Sequence, residues 1–258
     1  MNQESKLKLF REKARDSNVL GFFSKTSDSS MIEAAAYSGM DYVILDMEHG
    51  PIGTETLKHH VMACKASGLI SIVRVEAFDS HHIGKALDLG ANGIQVPSVT
   101  SSEQVRKVID ETKFHPKGHR GVCRFVRAAN YSSMDRFEYF KDANENIVII
   151  QLEGIEGVNA FDEIIEIPGV DIIFIGPYDL SQSIGFPGQI THPEVLSYIE
   201  KLHFKAAQNG IVLGTFCDTP ELLCKWRDLG LGYLAYSVDI ALFLEKLMEI
   251  NGIRNGKQ

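Results

Sequence analysis

Eight short runs rich in β-branched residues alternate with helix-length amphipathic stretches, and no other feature of this chain restricts its possible folds as tightly. The runs are residues 19–24, 41–47, 70–75, 93–99, 146–153, 171–176, 211–216 and 233–239. Between and after them, stretches near 30–38, 54–67, 80–89, 101–112, 156–166, 193–209, 218–229 and 240–250 carry the helical spacing of apolar residues. A further helix is expected at 5–15. Several runs are almost continuously apolar, the pattern of parallel strands covered on both faces. Ser80 and Ser101 stand where helix N-caps belong, and Gly39, Gly68, Gly90 and Gly210 stand just past helix ends. Eight βα units in 258 residues are the count and size of a TIM (β/α)8 barrel. The predicted fold is therefore α/β, one barrel domain over 1–258 with an additional N-terminal helix. The rival is an open doubly wound sheet. Its dinucleotide form needs G-x-G-x-x-G after the first strand, and neither that string nor a Walker A loop occurs.

Charge and composition remove whole classes of function. Lys and Arg total 26 against 34 Asp and Glu, a net charge of −8, so no general positive field would hold nucleic acid or an anionic membrane surface. Hydrophobic residues at 44% and charged residues at 23% are ordinary for a globular chain. The longest apolar stretches, such as Ile147 to Ile150, fall far short of the ~20 residues a membrane span needs. Met1 to Phe10 lacks the apolar core of a signal peptide. Four cysteines (Cys64, Cys123, Cys217, Cys224) without CxxC spacing suggest neither a disulfide framework nor a zinc knuckle. A cytoplasmic protein is the expectation.

In a TIM barrel the chemistry sits at the C-terminal strand ends. The second strand ends Asp46-Met47-Glu48-His49-Gly50-Pro51, the third reaches Arg74, and the fifth ends Gln151-Leu152-Glu153. The sixth runs into Gly176-Pro177-Tyr178-Asp179-Leu180-Ser181, and the eighth ends Ser237-Val238-Asp239. Glu153 and Asp179 lie on neighbouring strands, whose tops are about 5 Å apart, close enough to share a cation about 2.1 Å from each oxygen. Oxygen donors without a Cys or His cluster suit Mg2+ or Mn2+ better than structural zinc. The alternative is an ordinary rim carboxylate and a helix N-cap. By alternation Arg74 shares a face with Ile70 and Ile72, which turns it into the barrel mouth, where it must meet a protein carboxylate or an anionic substrate. His49, flanked by Glu48 and Asp46, is the candidate base.

Other polar groups read as weaker candidates. His59 and His60 lie on a helix, His81 and His82 open one, and His192 precedes Pro193 at a helix entry. Cys217 has no paired His and reads as inert. No strand contains a lysine, which argues against a Schiff-base mechanism; Lys25, after the first strand, is the nearest and is expected to be solvated. Residues 113–145 form the one long irregular segment. Its His115, Lys117, His119, Arg120, Arg124 and Arg127 suggest either a subunit contact or steering of an anionic substrate.

Taken together, six motifs resemble the HpcH/HpaI aldolase family: Asp46-Met47-Glu48-His49-Gly50-Pro51, Val73-Arg74, Leu87-Asp88-Leu89-Gly90-Ala91 to Val96-Pro97, Arg120-Gly121, Gln151-Leu152-Glu153 and Phe174 to Ser181. The likeness spans about residues 19 to 250 in the family's order and spacing. It implies a class II pyruvate aldolase that cleaves a 4-hydroxy-2-oxo acid reversibly to pyruvate and an aldehyde through an enolate. It also implies that Glu153 and Asp179 bind a divalent ion (Mg2+ or Mn2+ before Co2+) and that His49 is the base. Arg74 would stabilise the enolate, and Gln151 and Tyr178 would contact substrate. The Gly176–Asp179 turn, with Pro177, would offer free N–H groups to the pyruvate carboxylate. Asp88 would raise the basicity of His49, although the barrel reading puts Asp88 near the end of a helix, away from the strand tops. A neighbouring subunit would be one way to bring it in, and Asp46 is the nearer alternative for that role. The family is generally oligomeric, so a homo-oligomer is expected, and the last helix carries Leu242, Leu244, Leu247 and Met248 as an apolar face.

Tyr178 stands where some members carry a small residue, and Gly154 follows Glu153 where others have Thr; both bear on the aldehyde partner. Two rivals stay open on this fold: a citrate-lyase-β or malyl-CoA-type thioester lyase, and an oxaloacetate decarboxylase. A third is a non-catalytic anion-binding barrel subunit, which loss of Glu153, Asp179 or His49 would favour; all three are present.

Overall fold

The computed structural model describes residues 3–76 and 80–256. Eight parallel strands close into a ring in chain order. They are β1 (Val19–Ser24), β2 (Tyr42–Asp46), β3 (Ile70–Arg74), β4 (Gly93–Val96), β5 (Ile147–Leu152), β6 (Ile172–Ile175), β7 (Val212–Cys217) and β8 (Tyr233–Val238). β1 pairs with both β2 and β8, so the TIM barrel expected from the βα rhythm is closed. Several strands stop short of the expected top ends: β4 ends at Val96 rather than 99 and β5 at Leu152 rather than 153. There the chain leaves the ladder so that polar side chains turn to the barrel mouth.

Alternation along the strands sorts the core into two layers. Ile44, Ile70, Ile72, Ile149, Ile172, Phe174 and Tyr233 fill the barrel interior, while Val43, Leu45, Val73, Ile94, Val148 and Ile173 pack outward under the helices. The N-terminal helix Gln3–Asp16 belongs to the inner layer: its buried Leu7, Phe10 and Ala14 stopper the end of the barrel where the strands begin. Phe10 meets Tyr42 edge-to-face at 5.9 Å. Gly232 permits this docking, because a Cβ there would lie 1.9 Å from the carbonyl oxygen of Ala14.

The helix expected over 156–166 is divided in two, Ile155–Asn159 and Phe161–Ile164. Ser101 caps its helix by accepting from the Gln104 N–H; the side chain of Ser80 lies outside the described residues. Residues 113–145 are more regular than their sequence suggests, since they contain a 3-10 turn (Arg127–Ser132) and a helix (Arg136–Ala143). Phe114, Ala129, Tyr139 and Ala143 give this excursion a small core of its own. Its arginines turn inward: Arg120 pairs with Asp88 at 2.6 Å, Arg124 donates to the Met134 carbonyl and Arg127 to that of Leu89. None of them lines the strand-top pocket, so the steering expectation has no support in their position. No described helix is long and apolar enough to cross a membrane.

Phe10→Ala should empty the stopper of its largest group and cost about 3–5 kcal/mol. Urea unfolding followed by circular dichroism checks this, with native secondary structure retained before the transition.

Candidate active site

The register of β2 and β3 sets Asp46 opposite Arg74. Both are buried, and the pair is a two-pronged fork: Arg74 Nε donates to Asp46 Oδ1 and Nη2 to Oδ2, each at 2.8 Å. The third nitrogen, Nη1, lies 3.1 Å from Glu48 Oε2. The guanidinium also stacks over Phe23, 4.8 Å from the ring centre. Asp46 Oδ1 accepts the backbone N–H groups of Glu48 and His49 at 3.1 and 3.2 Å. One carboxylate thus holds Arg74 and folds the turn that carries His49. Burial pushes the Asp46 carboxyl up, but the Arg74 fork and the neighbouring N–H outweigh burial and hold it below its ordinary value. Lys25 Nζ stands 3.4 Å from Asp46 Oδ2 and lines the pocket, so it is engaged rather than solvated as expected.

A second chain of contacts builds the other side. Gln95, inside β4, donates from Nε2 to Gln151 Oε1 at 2.5 Å, and Gln151 Nε2 donates to Glu153 Oε2 at 2.6 Å. Glu153 Oε1 accepts from the N–H and hydroxyl of Ser98 at 2.6 and 2.8 Å. Gly176 is required beside it, because a Cβ there would come within 3.0 Å of Glu153 Oε2. Gly176 caps the helix Pro177–Ser183, and Asp179 stands in its first turn. Asp179 itself has no hydrogen-bond or ion-pair partner among the described residues. The N-cap reading of Asp179 is thereby replaced by one of a carboxylate with free oxygens.

These groups enclose a pocket of about 260 Å³ at the strand tops, lined by His49, Arg74, Gln151 and residues 176–179 over an aromatic floor of Phe23, Phe174 and Phe216. The Tyr178 hydroxyl donates to Asp218 Oδ2, and its ring lies 6.0 Å from that of Phe216. His49 sits at the rim with its side chain 63% exposed, and the carboxylate nearest its Nε2 is Glu48, at 3.9 Å. Neither Asp46 nor Asp88 meets the imidazole. Asp88 ends the helix Ser80–Asp88 and is bonded to Arg120, so within one chain the structure does not bring it to the site.

Charge in the site does not balance. Asp46, Glu48, Glu153 and Asp179 interact with one another through Glu48, while only Arg74 and Lys25 oppose them, which leaves two negative charges over. Burial pushes the Glu48 carboxyl up to about 7; Arg74 opposes this, and Glu153, Asp46 and Asp179 add to the rise. Glu48 Oε2 is buried without a hydrogen bond of good geometry. Among the described residues no group of three or more His, Cys, Asp or Glu could hold a metal ion. Glu153 and Asp179 are oxygen donors of the kind a hard divalent ion takes, and water or substrate would complete its shell.

Several site residues escaped sequence reading. Gln95 is the one polar residue of an apolar strand, which was a usable signal. Ser98 and Asp218 stand just past strand ends in β4 and β7, where the strand-top rule would have found them. The remaining histidines take structural parts. His60 is buried between the Ser29 hydroxyl and the Thr26 carbonyl, both at 2.9 Å. His192 accepts the Glu194 N–H and stacks on Phe186. Cys217 is buried, and its thiol is pushed up to about 12 by desolvation. Asp239 is a tie rather than a site residue, gathering Ser24, Lys25 and Thr26 at the β1–β8 seam.

Comparison with known proteins agrees with this geometry. The model of the HpcH/HpaI aldolase/citrate lyase family matches residues 19–245. The chain belongs to that family. It is 34% identical over 245 residues to a 2-dehydro-3,6-dideoxy-6-sulfogluconate aldolase of Pseudomonas putida, covering 95% of each chain. It is 33% identical over 241 residues to a 2-keto-3-deoxy-L-rhamnonate aldolase of Salmonella gallinarum, covering 92% of this chain and 90% of the relative. Among solved structures, the citrate synthase SbnG superposes with a TM-score of 0.85 at 31% identity, covering 98% and 97% of the two chains. With named aldolases this close over nearly its whole length, this HpcH/HpaI chain is an enzyme of the lyase class.

A carboxyl raised from 4.5 to about 7 binds more protons folded than unfolded between those values. Its contribution to stability therefore falls as pH rises through that window. In EDTA-treated protein, Glu48→Gln should flatten the decline that wild type shows between pH 5 and about 7.5. Urea unfolding at the two ends of the window is the check.

Proposed function

We propose that this lyase cleaves a 4-hydroxy-2-oxo acid reversibly into pyruvate and an aldehyde, with a divalent cation bound between Glu153 and Asp179. The observation that carries the reading is the surplus of negative charge beside Arg74 and His49. A pocket with two uncompensated carboxylates is unfavourable unless it protonates or takes up a cation. All the donors are oxygens, which favours Mg2+ or Mn2+ over a softer ion. Such an ion would supply Lewis-acid charge to the oxygens of a 2-oxo acid.

The chain's own residues then have distinct tasks. Arg74, locked by Asp46, presents fixed positive charge to the enolate that develops as the carbon–carbon bond breaks. His49 takes the proton of the C4 hydroxyl, directly or through a water. Gln151 has its oxygen occupied by Gln95 and one N–H by Glu153, so a second N–H is left for substrate. Gly176 and Pro177 line the wall against which the pyruvyl part lies. Tyr178 and Asp218 bound the side left for the aldehyde. The two aldolase relatives are named for 2-oxo acids with a deoxygenated C3, which supports a 2-keto-3-deoxy sugar acid as the substrate class.

The likeness to a citrate synthase favours a second reading, in which the same enolate is run toward condensation. Exposed Phe125 and Val122 on the 113–145 excursion, and Phe243, Leu244, Leu247 and Met248 on the last helix, support a homo-oligomer. A neighbouring subunit is then the remaining route by which Asp88 would meet a His49. Four unpaired cysteines support a cytoplasmic location.

Pyruvate release from a 4-hydroxy-2-oxo acid should be abolished by EDTA and restored by Mg2+ or Mn2+. Activity indifferent to EDTA and trapped by borohydride would overturn the metal assignment and point to Lys25. His49→Ala should lower kcat by about 10²–10⁴ while the protein stays folded.

A further inference from the structure

The strand-top pocket occupies only one end of the barrel. At the other end, a cleft of about 240 Å³ runs between the N-terminal helix, the last turns of the helix Thr54–Ser67, the start of β3 and the turn before β4. Lys6, Lys65 and Arg127 all line it, beside Gln3, Ser71 and Asn92, and its lining contains no Asp or Glu. Each cation has only a neutral protein partner. Lys6 Nζ donates to the Leu69 carbonyl at 3.2 Å, Lys65 Nζ to Asn130 Oδ1 at 3.4 Å and Arg127 Nη1 to the Leu89 carbonyl at 2.8 Å. None of the three forms an ion pair with a described residue.

Two further observations tie the cations together. Lys6 and Arg127 reach the same cleft from different elements, the N-terminal helix and the 3-10 turn Arg127–Ser132. Burial pushes the Lys6 amine down, and the only group that opposes this is the Cys64 thiol, itself pushed up to about 12 and therefore neutral. Gly90, at φ +89°, lets the backbone close on the guanidinium, where a Cβ would lie 3.0 Å from Arg127 Nη1. Asn92 Oδ1 accepts from both the N–H and the hydroxyl of Ser71, and its Nδ2 has no hydrogen-bond partner among the described residues. On a chain of net charge −8, a cleft lined by three cations and no carboxylate is a local positive site that favours an anion.

We propose that this cleft binds a compact dianion, either an oxyanion of the phosphate kind or a short dicarboxylate, with charge-assisted bonds from Lys6, Lys65 and Arg127. The site is independent of the lyase assignment and lies at the opposite end of the barrel from it. Its ligand would bridge the stopper helix to the barrel wall. Because that bridge exists only in the folded chain, binding must raise thermal stability.

The test is thermal unfolding and calorimetric titration of the full-length protein at constant ionic strength, with inorganic phosphate in one arm and succinate in the other. At about a hundredfold Kd the favoured anion should raise Tm by about 5 °C or more. Lys65→Glu replaces an exposed side chain and should leave the ligand-free Tm near that of wild type while abolishing the rise. Arg127→Gln should weaken Kd by at least about tenfold. A response to phosphate alone assigns an oxyanion site, and a response to succinate alone a dicarboxylate site. Equal binding by wild type and Lys65→Glu, or no response to either anion, would overturn the proposal.

Discussion

Because β1 hydrogen-bonds to both β2 and β8, no strand in this ring has a free edge, and every side chain must point either into the barrel or out toward the helices. The interior is narrow enough to be filled by isoleucines and aromatic rings, with one helix closing it from below. Polar groups have no place inside except where the strands run out. Closure therefore does more than stabilise the fold: it sorts the sequence, sending Asp46, Arg74, Gln151 and Glu153 to one end by register alone. The same register places Asp46 and Arg74 side by side as strand partners, so their fork follows from the ladder.

The site built on that fork is unbalanced by design of its residues rather than by accident of one contact. Asp46 is fully engaged, whereas Glu48, Glu153 and Asp179 share too little positive charge among them. Two ways of relieving this are visible in the chemistry: a proton on Glu48, or a cation between the other two carboxylates. If the proposed cation binds there, the two would compete, and acidity at Glu48 would be linked to ion occupancy at Glu153 and Asp179. Ser98 and Gln151, the latter held in turn by Gln95, restrict the outcome by fixing the orientation of Glu153.

Much of this was legible in the sequence, and the reasons are physical. A short, almost continuously apolar run broken by a charge at its end, as at Arg74 and Glu153, reports both a buried strand and its polar terminus. Local rules served well for Ser101 and for the Gly176-Pro177 helix start. They failed where contacts are distant in sequence. Asp46 lies three residues before His49 yet gives its carboxylate to Arg74 and to backbone N–H groups rather than to the imidazole, because the guanidinium beside it is buried and the imidazole is exposed. Glu48 looked like a mere neighbour of His49, and only its burial among other carboxylates reveals its part. The arginines of residues 113–145 looked like a surface field, but Arg120 is paired with Asp88 and Arg124 and Arg127 are turned to backbone carbonyls, which sequence spacing cannot express.

The exposure of His49 has a consequence for the fate of any carbanion formed beside it. An imidazole open to bulk water exchanges its proton freely, so an enolate in this pocket of a single chain would be quenched by solvent sooner than in a sealed site. In the cleaving direction quenching completes the reaction, because it turns the nascent fragment into pyruvate. In the joining direction it is a leak, since the nucleophile is lost before an aldehyde arrives. An open rim thus makes proton exchange between pyruvate and water a competitor of carbon–carbon bond formation, and whatever covers the rim sets the partition between the two.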